Sequence, residues 1–534
     1  MSRRSLACFA AFTAVFAVLV ASVFWGTWSP DFVPVMPDAR TNFPASGYVR
    51  EFVAAWLAQG LFVPDDLKVF LGSPWWWVEL QYALALYAAA LGMAYFCRGR
   101  GLRRVACYGA GLLLAFSGYW CTLFSAGHLG WFRWMTYGVF AFGLVDRAIG
   151  RRSWRHFALF GAVLAWASFY QSDLWLLFAL LTCAYGAWAA VRERTLPWRG
   201  ALLAAAVFLL VGAPAIRKAF TDDLAKRDEQ VAAAAEGEDA AQAAERRWVF
   251  ATNWSLPPAE TAEAVWARLN GDTSCPLTIS LARAAGKDTR PYTGALGRPL
   301  GAAEGNYRQH SLYLGLVTVL LALVALLRAL CGRGRGRGDV VFFAVAALVA
   351  VALAFGRDFA PLYRLVFALP FGDYLRAPVK WLHLAEFALA VLAAYALDAL
   401  ACRRWRYAAL AAAALALVGA VDLVRVDSRY LARVDMSKAR AHDADMQLTF
   451  LARRDFDRPE VRAMRARGLI VPLAYHFQSS EVYLVGVLSP RDRHAPPKPL
   501  PPLTPASALG VLSLAVGALT AGFFCVGRRR RDGC

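Results

Sequence analysis

Arg376 and Lys380 stand four residues apart, with Pro378 between them, just ahead of an apolar run. That spacing puts both on one face if the segment is helical. Pro378 allows a helix to start there but not to continue through it. A planar guanidinium fork and an ammonium point charge together suit a phosphate. The plainer reading is a pair of cations snorkelling to a membrane surface. Two aspartates are candidate proton acceptors, Asp38 in Pro37-Asp-Ala-Arg40 and, second, Asp31. A Pro-Asp pair is equally at home in a turn or at a helix N-cap. Arg133 sits among Trp131, Phe132 and Trp134, five residues after His128, with almost no other charge nearby. It reads either as an anion contact or as cation–π packing at an interface. Asp173, with Tyr170 and Gln171, can bind hydroxyls or cap the helix that follows. Trp248 and Trp254, with Tyr307, can stack on a flat ring or form the core of their own loop. His383 and Glu386, three apart, and Glu79 fall in or near apolar runs. Such ionisable groups are functional candidates by default, and His383 pairing with Glu386 is the plainer account.

The elements that position these side chains follow from composition. Of 534 residues, 59% are apolar and 18% charged, and the mean hydropathy is +0.41. These values exclude a disordered chain, a disulfide-rich module and an ordinary soluble enzyme. A helix crossing about 30 Å of hydrocarbon needs about 20 apolar residues. About twelve stretches qualify: 5–25, 76–97, 105–123, 131–147, 156–170, 174–191, 200–216, 311–330, 340–356, 381–400, 407–424 and 504–527. The expected fold is therefore an all-α polytopic membrane protein. No A-x-A site follows the first stretch, which reads as a span and not as a cleaved signal.

The net charge of +20 is explained by where the basic residues lie. Segments at 3–4, 98–104, 147–155, 192–199, 328–337, 403–406 and 528–531 hold about 24 of the 58 Lys and Arg. These are alternate connections plus both termini, the pattern of cytoplasmic loops. The charge is thus a code for orientation and not a nucleic-acid footprint. Both termini are expected in the cytoplasm and the longer loops outside, with membrane lipid as the surrounding partner. Of ten cysteines only Cys275 falls in an outward loop, so no disulfide framework is expected, and no Cys or His spacing marks a metal site.

Outside, the segment 26–75 carries Asp31 and Asp38, with an amphipathic stretch at 48–61. The segment 217–310 opens with an Ala/Glu/Arg-rich stretch, 222–247, that favours a solvated helix, followed by the Trp-containing run. The segment 425–503 reads as a small α/β appendage, with a helix at 458–467 and strands at 469–475 and 481–487. A Pro-rich lead then enters the final span at 504–527 and a basic tail to 534.

Several motifs run in a defined order. They are Ser125-Ala-Gly-His128, Trp248-Val-Phe-Ala-Thr-Asn-Trp-Ser-Leu256, Leu353-Ala-Phe-Gly-Arg357, Leu369-Pro-Phe371 and Leu375-Arg-Ala-Pro-Val-Lys-Trp381. With twelve spans and an acid-bearing first outward loop, this layout resembles the YfhO-like bacterial membrane proteins. More broadly it resembles the GT-C superfamily of integral membrane glycosyltransferases. The likeness covers 1–424 as a transmembrane core. It implies sugar transfer from a polyprenyl-phosphate donor to a cell-envelope glycan or lipid acceptor, at the outer face of a bacterial inner membrane. Asp38, or Asp31, would act as base, and Arg376, Lys380 and Arg133 would hold the donor phosphate. His128, Asp173, Trp248 and Trp254 would contact substrate. The lipid-linked sugar is a substrate and not a resident cofactor, and a divalent metal stays unassigned. Two other readings remain, a flippase for a lipid-linked sugar and a non-catalytic envelope assembly protein. No inverted repeat or pair of broken helices favours transport.

Overall fold

The computed structural model describes residues 3–24, 32–34, 77–126, 128–169, 173–224, 240–274, 288–297, 311–332, 336–369, 375–430, 433–435, 448–451, 470–474, 481–486 and 504–529, with isolated residues that include Gly60, Arg308 and His310. It is mostly helical. The helices are α1 (Arg3–Val23), α2 (Trp77–Gly99), α3 (Arg104–Ala115), α4 (Gly118–Ala126), α5 (Leu129–Gly150), α6 (Trp154–Ser168), α7 (Asp173–Arg192), α8 (Trp198–Lys218), α9 (Ala240–Ala251), α10 (Leu316–Leu330), α11 (Arg337–Ala354), α12 (Ala360–Phe367), α13 (Leu382–Ala401), α14 (Ala408–Asp427) and α15 (Pro505–Arg529).

Each of the twelve apolar stretches carries a helix, and the stretch at 105–123 is broken into α3 and α4, bent by 41°. Seven helices are long and apolar enough to cross a membrane, or eight spans if the bent pair counts as one. The chain is thus a membrane protein by the length and apolarity of its helices. Helices α6 and α10 have 15 residues each. At about 1.5 Å per residue they fall short of a full hydrocarbon core.

The bend between α3 and α4 has a local cause. Gly118 N donates to Tyr313 O at 2.8 Å instead of continuing the helix. A Cβ at Gly118 would lie 2.4 Å from that carbonyl, so only glycine fits. Close approach also joins α6 to α8, where Gly161 meets the Ala204 carbonyl, a small-residue contact typical of membrane helices.

Helix α13 is the centre of the bundle. Its span is 83% buried, against 22–44% for the other six. It is apolar on every side, as a fully surrounded helix must be. Its two ends carry two separate polar clusters.

At the C-terminal end of α13 the basic connections meet. Arg103 N donates to Asp398 Oδ1 at 2.7 Å, and its guanidinium donates to Ala401 O at 2.6 Å. Arg100 bonds Asp339 at 2.8 Å and Asp146 at 3.2 Å. Arg192 bonds the same two carboxylates at 2.6 and 2.9 Å. Tyr185 and Trp188 donate to Asp146 and Asp339, and Tyr395 donates to Asp339. Connections from five parts of the sequence therefore share one end of the bundle.

Outside the helices, β1 (Phe32–Pro34) pairs antiparallel with β2 (Arg433–Asp435), joining the segment 26–75 to 425–503. Strands β3 (Leu448–Leu451), β5 (Glu481–Gly486) and β4 (Ile470–Ala474) form an antiparallel sheet in that order. The amphipathic stretch at 48–61 lies almost wholly outside the described residues, as does the expected helix at 458–467. In the Ala/Glu/Arg-rich stretch 222–247, residues 225–239 are likewise outside. The helix that is described, α9, runs past the expected end at 247 to Ala251, because Trp248 is anchored by tertiary packing.

Candidate functional site

The N-terminal end of α13 gathers residues from six parts of the chain. Lys380 lies in a short 3-10 turn, Pro378–Trp381, that leads directly into the helix. Its Nζ meets Asp173 Oδ2 at 2.5 Å. The pair is largely shielded, with side chains 8% and 15% exposed. Asp173 is the first residue of α7, and its other oxygen accepts from Leu174 N at 3.0 Å. It therefore meets a free N–H at the helix start and also holds Lys380. Lys380 Nζ also sits 4.9 Å from the Trp131 ring centroid. His128, the residue before α5, packs on Trp131 with centroids 4.2 Å apart.

One turn into α13, His383 Nδ1 lies 2.8 Å from Glu386 Oε2. The expected pairing within the bundle is present. Glu386 Oε1 accepts from Ser117 Oγ at 2.6 Å and Trp120 N at 3.0 Å, so the helix break supplies the donors the buried carboxylate needs. The His383 ring stacks on Tyr119 at 4.0 Å and 11°, and Tyr119 in turn contacts His310 at 4.7 Å. Trp254 flanks His310 at 5.7 Å. The far nitrogens, Nε2 of His383 and of His310, are buried and make no hydrogen bond among the described residues. Burial, and then the charge of Arg308 and of the neighbouring His128 and His383, hold the His310 imidazole well below its usual range.

The Trp loop is hydrogen-bonded to the segment that carries Lys380. Ala377 N donates to Ala251 O at 3.0 Å and Val379 N to Trp254 O at 2.9 Å. Trp254 is half-buried beside His310, at the edge of the cluster. Trp248 is not part of it. It is 9% exposed, packed on Tyr363 and Phe367 with Arg364 over its ring, so it belongs to the core of its own loop.

Arg376 also departs from expectation. Ala377 has a φ of +58°, which turns the chain between Arg376 and Lys380 before the 3-10 turn begins. The two cations do not share a helical face. Lys380 is buried, whereas Arg376 is exposed with its guanidinium 5.0 Å from the Phe250 ring. Arg133 falls in α5, and its side chain lies outside the described residues. Asp31 and Asp38, on either side of β1, also lie outside them.

Sequence reasoning missed Tyr119 and His310, which acquire meaning only through stacking across the bundle. It also missed the core of the long loop. There Arg308 bonds Glu263 and lies 3.8 Å from Glu260. Glu260 accepts from Tyr292 at 2.5 Å and from Ala295 N. Two acids three apart in a Pro-started segment were the available signal, because i and i+3 eclipse in a 3-10 turn. Among the described residues, no group of three His, Cys, Asp or Glu is placed to hold a metal ion.

The arrangement offers one ammonium, one carboxylate beside it, a buried His–Glu pair and a wall of aromatic rings. It can neutralise an anion, accept a proton and stack on a flat face. Compared with known protein families, curated proteins and solved structures, the chain matches none.

Proposed function

We propose that the chain is a GT-C-type integral membrane glycosyltransferase of the bacterial cytoplasmic membrane. In this reading it has twelve spans, both termini in the cytoplasm and an α/β appendage at 425–503 outside. It moves a sugar from a polyprenyl-phosphate donor to an envelope acceptor at the outer face. The observation that carries the reading is the shielded Lys380–Asp173 pair beneath Trp131. It sits at the bundle end opposite the basic connections, where an outward-facing donor headgroup would arrive.

The chemistry follows from the charges. An arriving phosphate competes with Asp173 for Lys380. The acceptor hydroxyl oxygen attacks the sugar's anomeric carbon as the bond from that carbon to the phosphate oxygen breaks. The electron pair leaves on the phosphate beside Lys380, and the hydroxyl proton passes to a carboxylate. Asp38 is the proposed base, with Asp31 second, and Asp173, released from Lys380, orients the acceptor. No acid is needed, because phosphate is already a competent leaving group, unlike the alcohol of a glycoside. His128 and Trp254 line the approach, and the donor's lipid tail explains why the catalyst is a membrane protein.

Purified protein incubated with labelled polyprenyl-phosphate sugars and envelope lipid extract tests this directly. Label moving to an acceptor supports the reading. Donor crossing sealed vesicles without bond cleavage replaces it with a flippase. In the native host, full retention of the dependent envelope glycan in an Asp38→Asn strain removes Asp38 from the base role.

A further inference from the structure

A second site stands apart from the Lys380 cluster and shares no residue with it. The segment after the short turn Pro258–Ala264 and the end of α14 enclose a cleft of about 460 Å³, within the size range of small-ligand sites. Four arginines line it, Arg268, Arg290, Arg425 and Arg429, with Asp422 and Trp266.

The charges are not balanced. Arg268 is held by Asp272 through two bonds of 2.8 Å and by Asp288 at 3.0 Å. Arg429 has a looser contact with Asp288 at 3.6 Å. Asp422 accepts the Tyr313 hydroxyl. Arg290 and Arg425 are exposed, and neither has a carboxylate within ion-pair distance among the described residues. The backbone at Arg290 is fixed by its N–H to Asp272 at 2.8 Å. Burial, then the charges of Arg268 and Arg425, lower the basicity of Arg429 by more than Asp272 and Asp288 raise it.

The location sharpens the point. The cleft opens at the α14 end that adjoins the start of α10, on the side of the bundle opposite the basic connections. The orientation code places few cations there, so four arginines at this end need another reason. Trp266, 69% exposed on the rim with Leu269 at 44%, is the kind of residue that seats at a membrane interface. Guanidinium forks gathered around one cavity match the several oxygens of a phosphate better than a single carboxylate.

We propose that this cleft binds a phosphate-bearing ligand, either a soluble phosphate or a lipid phosphate headgroup, with Arg290 and Arg425 as its open forks. The claim does not rest on the transferase reading. It is tested without any sugar donor, so each can fail alone.

The full chain, purified in a neutral detergent at low salt, is titrated calorimetrically with pyrophosphate and with short-chain phosphatidic acid. At least one probe binds saturably, and the Arg290→Gln, Arg425→Gln double variant weakens it by about tenfold or more. Arg403→Gln, an exposed cation at the basic end, binds as wild type. Tighter pyrophosphate assigns a soluble ligand, and tighter phosphatidic acid assigns a lipid. Arg425→Lys keeps the charge, loses the fork and serves as a second variant if the double one folds poorly, with weaker binding expected. No saturable binding of either probe overturns the proposal, as does unchanged affinity in the arginine variants.

Discussion

The two ends of α13 answer the same problem in opposite ways. Both bury ionisable groups in the middle of an apolar bundle. At the C-terminal end two buried carboxylates are closed off by shared arginines, and Asp398 is held by the backbone N–H of Arg103. Asp146 and Asp339 are shared between Arg100 and Arg192, and three aromatic donors fill the remaining lone pairs. At the N-terminal end one cation holds one carboxylate, and two imidazoles keep a buried nitrogen without a hydrogen bond among the described residues. A saturated network has nothing left to offer a ligand and serves to fix helix ends. An unsaturated one costs stability and is retained where it does something else. The contrast explains why the proposed chemistry belongs at one end only.

The largest expected effect breaks the saturated end. Asp339→Asn leaves Arg100 and Arg192 sharing Asp146 as their one buried carboxylate, with the exposed Glu193 beside Arg192. It should lower unfolding stability by about 3–5 kcal/mol, read as a fall in the thermal midpoint in detergent. A shift no larger than that of a surface variant would mean the network is not structural.

Lys380→Met is the matched test at the other end. It removes the cation but keeps the volume, and Asp173 retains its bond to Leu174 N. The loss of stability should be smaller than for Asp339→Asn, whereas sugar transfer should fall by at least about a hundredfold, the scale of losing one electrostatic stabiliser.

His310 gives a pH signature. Its folded imidazole resists protonation, whereas the unfolded one titrates near about pH 6.5. Below that value the unfolded chain takes up a proton that the folded chain refuses. The contribution of His310 is therefore complete above about pH 6.5 and is lost as pH falls toward the depressed folded value. Thermal midpoints measured from about pH 8 to 5.5 should decline less steeply in His310→Gln than in wild type. Parallel slopes would mean that other groups carry the acid sensitivity.

The smallest effect is expected at Arg376, which is exposed and makes one cation–π contact. Arg376→Gln should change stability by no more than about 0.5 kcal/mol. A drop in transfer with no drop in stability would bring Arg376 back into the site.

What the sequence made legible follows from range. Apolar runs of helical length are local, and a helix lies at every stretch they marked. His383 and Glu386 are also local, one turn apart, and their pairing could be read directly. Asp173 and Lys380 were each visible as out-of-place charges, but 207 residues separate them and no periodicity links such positions. The divergence of Arg376 from Lys380 turns on a left-handed alanine at 377, a residue type that gives no warning of positive φ. Stacking of Tyr119 between two histidines, and an arginine cleft assembled from a loop and a distant helix end, exist only once the bundle closes.

In the proposed reading the N-terminal end of α13 is built for chemistry and the C-terminal end for structure. The most direct measurement is single-turnover transfer from a labelled polyprenyl-phosphate sugar by Lys380→Met protein, with its thermal midpoint recorded alongside. Transfer should be lost while most of the stability remains. Wild-type transfer by a folded Lys380→Met protein would contradict it.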